Sequence, residues 1–213
     1  MTAFIRWAAR LVGVAAVVSS PQFVGAQEAR LLAIRDDATR DFVRQFVEAA
    51  RIRGTPTEPL VSRALEGVAF KADRKRIEQA MAVLEKRMKR AHAALGPRAT
   101  VDEIAAGADA IAAGVPDGTI KEMQRLAPQR QITVELGVLT ELVAKGVAAK
   151  RAAKMVYDLM ARGATGAQLT ELNAAVQQDV ALGIKPVAAL DLRGRGVMSL
   201  LPPPASVNSA QRR

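Results

Sequence analysis

The chain has 213 residues, of which 31 are Lys or Arg and 21 are Asp or Glu, and its formal net charge is +10. Half of the residues are hydrophobic, 3% are aromatic and none is Cys. This composition excludes collagen-like, coiled-coil, disulfide-stapled and polar disordered chains, and the length fits one domain.

The N-terminus has the pattern of a secretory signal peptide. Arg6 and Arg10 precede a short apolar run over 11–18, and Val24-Gly25-Ala26 offers small residues for cleavage after Ala26. The run has about half of the roughly 20 residues that a membrane-spanning helix needs, which argues against an uncleaved anchor. We therefore predict a signal peptide over 1–26, a periplasmic or secreted location, and a mature chain without a transmembrane segment.

Helical periodicity begins near Thr39 and predicts three helices before residue 97. The first ends before Gly54 and has one face formed by Phe42, Phe46 and Ala49. The second is short and stops at Gly67. The third is long, begins after Asp73 as N-cap and ends at Gly96-Pro97. Its predicted buried stripe consists of Ile77, Met81, Leu84, Met88, Ala91 and Leu95.

Further helices are predicted over 100–114, 116–126, 130–145, 148–162 and 165–182, with a short last one at Pro186–Leu190. Two of them open with the spacing of a capping box, at Thr100 with Glu103 and at Thr165 with Gln168. The sequence thus predicts an all-α fold, an irregular stack of short helical hairpins forming a single domain over 27–190. Residues 191–213 are predicted to be a flexible basic tail, whose apolar segment 197–201 either docks on the helices or stays free.

A helix joint recurs along the chain, in which a Gly is followed by a small or apolar residue and a new helix. Gly after a helix adopts the left-handed conformation that closes it, and the apolar residue packs back onto the last turn. The copies are at Gly54, Gly67, Gly114, Gly146, Gly163 and Gly183. Their unequal spacing excludes a strict solenoid period.

With these joints, the chain from Phe46 to Leu190 resembles uncharacterised exported all-α bacterial proteins that carry repeated Gly-Val-Pro-type helix joints. Ala69 and Ala148 depart from the pattern, because Pro is expected at both positions. The resemblance implies a helical architecture and an export route. It implies no known activity and no catalytic residue.

Most catalytic constellations are excluded by residue counts and spacing. The single His92 and the lack of Cys remove Ser-His-Asp, Cys-His and paired-His zinc sites, and no phosphate-binding loop or calcium loop is present. We predict no cofactor and no metal. A carboxylate pair is the remaining route to hydrolysis, and the candidates are Glu66, Glu135 and Glu141. An envelope hydrolase that uses such a pair, with Glu66 as its best member, is the alternative function.

Charge is the feature with the clearest pattern. Residues 71–98 hold nine basic side chains against three acidic ones, whereas 99–141 hold three against seven. The long third helix therefore has a basic face, for which the candidate anion-binding residues are Lys86, Arg87, Lys89 and Arg90. The face is interpreted either as a solvated surface or as a site for phospholipid headgroups or anionic wall polymer. Nucleic acid is disfavoured, since no aromatic residues are interleaved.

The functional prediction is a non-enzymatic exported cell-envelope protein. It binds an anionic surface or a protein partner through this basic helix face, and we expect it to be a monomer.

Overall fold

The computed structural model describes residues 29–203, and every regular element in that part of the chain is helical. A helical turn at 29–31 precedes nine longer helices. Their bounds are Asp37–Ile52 (α1), Glu58–Ala69 (α2), Arg74–Leu95 (α3), Val101–Ala112 (α4), Asp117–Leu126 (α5), Thr133–Ala144 (α6), Ala149–Ala161 (α7), Gly166–Ala181 (α8) and Pro186–Leu200 (α9). The predicted all-α, single-domain stack is confirmed. The signal-peptide prediction and residues 204–213 of the predicted tail lie outside the described residues.

Two helices organise the packing. The 22-residue α3 packs against α1, α2, α4 and α5. The apolar α6 packs against α4, α7 and α8, and α9 covers α7 and α8. All six residues of the stripe predicted for α3 are buried, so the opposite side of this helix presents its Lys and Arg side chains to solvent. Within 29–203 no helix is both long and apolar enough to cross a membrane.

Five of the six predicted joints are Schellman motifs. Gly54, Gly114, Gly146, Gly163 and Gly183 have φ between 72° and 94°. At each, the Gly N–H donates to the carbonyl three residues back, and the next N–H donates to the carbonyl five residues back. At the joint of Gly146 the next residue is Val147, which is only 1% exposed. The joint thus closes one helix and places an apolar side chain in the core.

The joint predicted at Gly67 is wrong, because this residue lies inside α2, which continues to Ala69. The left-handed position falls instead on Lys71, with φ 54°, and the Ala72 N–H donates to the Gly67 carbonyl at 2.9 Å. A Cβ on Gly67 would lie 2.8 Å from Cγ1 of Ile77. Gly67 is therefore required by the close approach of α2 and α3, not by the end of a helix.

The buried face of α1 is also displaced from the predicted one. The buried residues are Thr39, Val43, Val47 and Ala50. The rings of Phe42 and Phe46 lie half-buried beside them, 5.7 Å apart. The guanidinium of Arg74 lies 5.7 Å from the centre of the Phe42 ring. Because a cation stabilises the face of an aromatic ring, the ring remains at the rim and the smaller β-branched residues fill the interior.

The predicted helix limit at Leu190 is wrong, since α9 continues to Leu200. Gly194 is a buried residue inside α9 that packs against α7, and a Cβ added there would lie 2.5 Å from Met155 Sδ. Two bidentate ion pairs, Arg151 with Asp191 and Arg193 with Asp179, hold this helix against its neighbours. The predicted tail thus begins as a packed helix, and Val197, Met198 and Leu201 contact the core.

Candidate anion-binding site

Two of the four predicted anion-binding residues are engaged within the molecule. Lys89 lies 3.0 Å from the buried Glu85. Arg90 holds Asp117, at the start of α5, through two hydrogen bonds of 2.6 and 2.9 Å. These bonds from Arg90 lower the pKa of Asp117. Both cations thus have an acidic partner, although Glu85 is shared with Arg53 at 2.8 Å, and Arg90 positions α5 beside α3.

The other two predicted residues differ from one another. Lys86 is exposed and has no acidic partner among residues 29–203. Arg87 is half-buried and lies near Asp109 on α4, where its positive charge opposes the rise that burial causes in the pKa of Asp109. The structure therefore does not present Lys86, Arg87, Lys89 and Arg90 as one free basic face, and only Lys86 is available to an external anion without loss of an internal interaction.

A different group of cations lines the cavity between the end of α3 and α5. This cavity has a volume of about 510 Å³, and its walls include Arg98, Lys121 and Arg125. Gly96, with φ 93°, ends α3, and Arg98 follows two residues later on the cavity wall. Lys121 and Arg125 are four residues apart on α5 and so share one face of that helix.

The charges of these three residues are not compensated by acids in the described part of the chain. Arg98 donates only to neutral groups, Gln129 Oε1 at 3.3 Å and the Pro128 carbonyl at 3.1 Å. Neither Lys121 nor Arg125 forms an ion pair with an acid of residues 29–203. Because these positive charges lack internal counter-ions, the cavity favours an anion from outside.

The carboxylate nearest to this cavity is already satisfied. Glu103 is 3% exposed, and one of its oxygens accepts from the Thr100 N–H at 3.0 Å, completing the predicted capping box. Its other oxygen accepts from the Ile132 N–H at 3.0 Å. A fourth cation on the wall, Arg130, is paired with the fully buried Glu135. Glu103 and Arg130 are therefore structural. The charge of Glu103 is not neutralised by its N–H donors and offsets part of the positive charge of the walls, which stays net positive because the three other cations of the cavity outnumber it.

Sequence reasoning missed Lys121 and Arg125 because the block 99–141 is acidic on average. Arg98 belongs to the basic block 71–98 but follows the end of α3, so sequence reasoning does not assign it to the basic face. The acids of that block are used internally, as Glu103, Asp117 and Glu135 show. Asp117 and Glu122 lie one turn before Lys121 and Arg125 in the sequence, so spacing along α5 does not reveal that neither cation forms an ion pair.

The acid candidate Glu66 lies in a second cavity of about 380 Å³ between α2, α3 and α4. Asp109 lines the same cavity, and Glu66 is paired with Arg63 at 2.8 Å. Partial burial raises the pKa of Asp109, although much of the residue remains exposed, and Arg63 and Arg87 oppose this shift. The structure thus brings two carboxylates to one cavity, which the sequence did not predict.

The other two acid candidates have structural roles. Glu135 on α6 is buried against Arg130. Glu141 accepts hydrogen bonds from Asn173 and, at 2.9 Å, from Gln177, which connects α6 to α8. Among residues 29–203 no three His, Asp or Glu side chains converge as a set of metal ligands. Neither residue is placed for catalysis.

The chain matches no protein-family model, no curated protein and no solved structure.

Proposed function

We propose that this protein is a non-enzymatic component of the cell envelope that binds an anionic surface. The observation that supports the proposal most strongly is a group of cations on α3 and α5 that form no ion pair among residues 29–203, namely Lys86, Lys121 and Arg125. Arg90, one turn after Lys86, is itself paired with Asp117 and thereby holds the start of α5 beside α3. The N-terminal signal-peptide pattern supports an envelope location.

The size of the expected effect follows from the number of free charges. Near an anionic bilayer each Lys or Arg contributes roughly 1 kcal/mol, so Lys86, Arg98, Lys121 and Arg125 together give about 4 kcal/mol, about a thousandfold in affinity. The attraction between exposed charges is screened within about 10 Å at 0.1 M salt. Binding should therefore weaken steeply as salt increases.

The test is co-sedimentation of the purified chain from Gln27 with vesicles containing phosphatidylglycerol, over a salt series. We expect binding at low salt that is lost at high salt, and a strong decrease for the double variant Lys86→Gln/Lys121→Gln. The matched control is Lys150→Gln/Lys185→Gln, which removes the same charge from exposed residues elsewhere. An equal decrease in both variants, or binding that salt does not change, would contradict the proposed surface.

A hydrolase is the second candidate, and the cavity shared by Glu66 and Asp109 is the observation that favours it. The raised pKa of Asp109 suits a proton donor, and a carboxylate opposite it suits a base or nucleophile. Release of soluble fragments from isolated envelopes, abolished by both Asp109→Asn and Glu66→Gln, is the result that this candidate requires. Binding to a protein partner is the remaining alternative. It predicts that binding to envelopes does not change with salt or with substitutions in either cavity.

A further inference from the structure

We propose that the cavity lined by Arg98, Lys121 and Arg125 is a specific site for a phosphate group carried on a small hydroxylated molecule or headgroup. This inference rests on the proposed function in one respect, since it identifies the anion that the basic surface recognises. It goes further by assigning recognition to a defined pocket in place of a diffuse charged face.

The first argument is that the guanidinium of Arg98 is oriented before any ligand binds. Its two terminal nitrogens donate to the Gln129 side chain at 3.3 Å and to the Pro128 carbonyl at 3.1 Å. Both acceptors are neutral, so the positive charge is held in place without being neutralised. A planar guanidinium fixed in this way can donate two parallel hydrogen bonds to a phosphate.

The second argument is the charge that Lys121 and Arg125 add to the same cavity. They are exposed residues on one face of α5 and line the same walls. Like charges four residues apart repel one another. Glu122 on the same helix and Glu103 on the cavity wall lie nearby, but neither forms an ion pair with these cations among the described residues. A ligand with two negative charges relieves the repulsion, which favours a phosphate monoester over a single carboxylate.

The third argument concerns what else the cavity can hold. Its volume of about 510 Å³ exceeds the space that a bare phosphate needs, so a carrier molecule fits beside the phosphate. The walls contain no aromatic side chain, and residues such as Ala93, Ala94 and Pro97 form the apolar part. A nucleobase usually stacks on an aromatic ring, whereas a polyol or sugar needs only polar groups, which Gln129 and Gln131 provide.

The experiment is isothermal titration of the purified chain from Gln27 with glycerol 3-phosphate, with inorganic phosphate and glycerol as probes for the two halves of the ligand. We expect glycerol 3-phosphate to bind, inorganic phosphate to bind more weakly and glycerol not to bind. Arg98→Gln and Lys121→Gln should each weaken binding at least about tenfold. Arg98→Lys keeps the charge but loses the planar fork, and it should fall between the wild type and Arg98→Gln.

The control variant is Lys150→Gln, which removes one exposed cation of α7 outside the cavity and should leave the affinity for glycerol 3-phosphate unchanged. Circular dichroism of each variant checks that the helices are intact. Equal weakening by Lys150→Gln and Lys121→Gln would show a diffuse charge effect and overturn the assignment of the pocket. Absence of any binding by glycerol 3-phosphate would overturn it as well.

Vesicle binding separates this inference from the proposed function and distinguishes a soluble ligand from a headgroup. If vesicles bind in a salt-dependent way but glycerol 3-phosphate does not, the basic surface stands and the pocket is refuted. If glycerol 3-phosphate binds but vesicles do not, the pocket stands for a soluble phosphate ester and the membrane surface is refuted. If both bind and glycerol 3-phosphate displaces the vesicles, the pocket recognises the headgroup.

Discussion

Arg130 and Glu135 illustrate at the scale of single residues how charge is used to build this fold. The side chain of Glu135 is 1% exposed and that of Arg130 is 49% exposed, so the carboxylate depends on a partner that reaches solvent. The second carboxylate oxygen of Glu135 has no hydrogen-bond partner among the described residues. A buried charge with a single partner is sensitive to loss of that partner.

Arg130→Gln should therefore destabilise the protein by roughly 2–4 kcal/mol, because it leaves the Glu135 carboxylate buried without a counter-charge. Urea unfolding followed by circular dichroism measures the change in the free energy of unfolding. The double variant Arg130→Gln/Glu135→Gln removes both charges and should recover part of the loss. A double variant less stable than the single one would show that the ion pair is not the cause.

At the scale of helices, glycines inside helices mark the places where two helices approach most closely. Gly107 on α4 faces α3, and a Cβ there would lie 2.9 Å from the Ala91 Cβ and 3.3 Å from the Leu95 Cδ1. Gly137 on α6 has no heavy atom within 4 Å of the same position. The two residues are thus a matched pair, with one helical glycine that packing requires and one that packing does not.

Gly107→Ala should destabilise the protein by about 1–3 kcal/mol, since Ala91 is too short to move aside and the two helices must separate. Gly137→Ala should stabilise it by about 0.5–1 kcal/mol, because alanine has the higher helix propensity and meets no clash. Thermal and urea unfolding of both variants measure this difference. Equal effects of the two substitutions would show that the α3–α4 contact is not limited by Gly107.

The attachment of α9 to α8 should depend on acid pH through Asp179. Hydrogen bonds from Arg193 hold the pKa of Asp179 below its ordinary value of 3.8. A group with a lowered folded-state pKa contributes stability above its unfolded pKa and loses it as the pH falls through the folded pKa. The pair should therefore stabilise the protein fully at neutral pH and progressively less below about pH 3.8.

Arg193→Gln should lower the melting temperature at neutral pH, and its difference from the wild type should shrink as the pH falls below about 3.8. Arg195→Gln is the control on the same helix, since Arg195 donates to the Asp191 carbonyl and has no acidic partner in the described chain. Its difference from the wild type should not vary with pH. A constant difference for Arg193→Gln would exclude Asp179 as the group that titrates.

At the scale of the whole molecule, the parts of the fold that local chemistry determines could be predicted from sequence. The Asp73 cap and the Thr100–Glu103 box depend on residues three positions apart. The Schellman glycines likewise depend on the preceding helical turn. The predictions failed at Gly67 and Gly194, where the glycine faces a helix that the sequence does not place beside it.

The candidate site could be predicted only in part, for a similar reason. The sequence located a basic region on α3, but which cations are free depends on where the acids of other helices lie. Asp117 neutralises Arg90 from α5, whereas Arg98 meets only neutral acceptors across the cavity. Average charge along the chain carries no information about such pairings, because they form between segments distant in sequence.

The limit of the folded domain provides a last test at the whole-molecule scale, because the sequence placed it at Leu190 and α9 continues to Leu200. A chain over 27–190 loses the partner of the buried Asp179, the Asp191 partner of Arg151, and the helix that covers Met155. It should be less stable than the full chain by about 3 kcal/mol, since the apolar surface that α9 covers on α7 and α8 is exposed to solvent and two ion pairs are lost. A chain over 27–203 keeps all of these contacts and should match the full chain in urea unfolding. Equal stability of the shorter chain would mean that α9 contributes nothing to the fold and that the domain ends where the sequence pattern placed it.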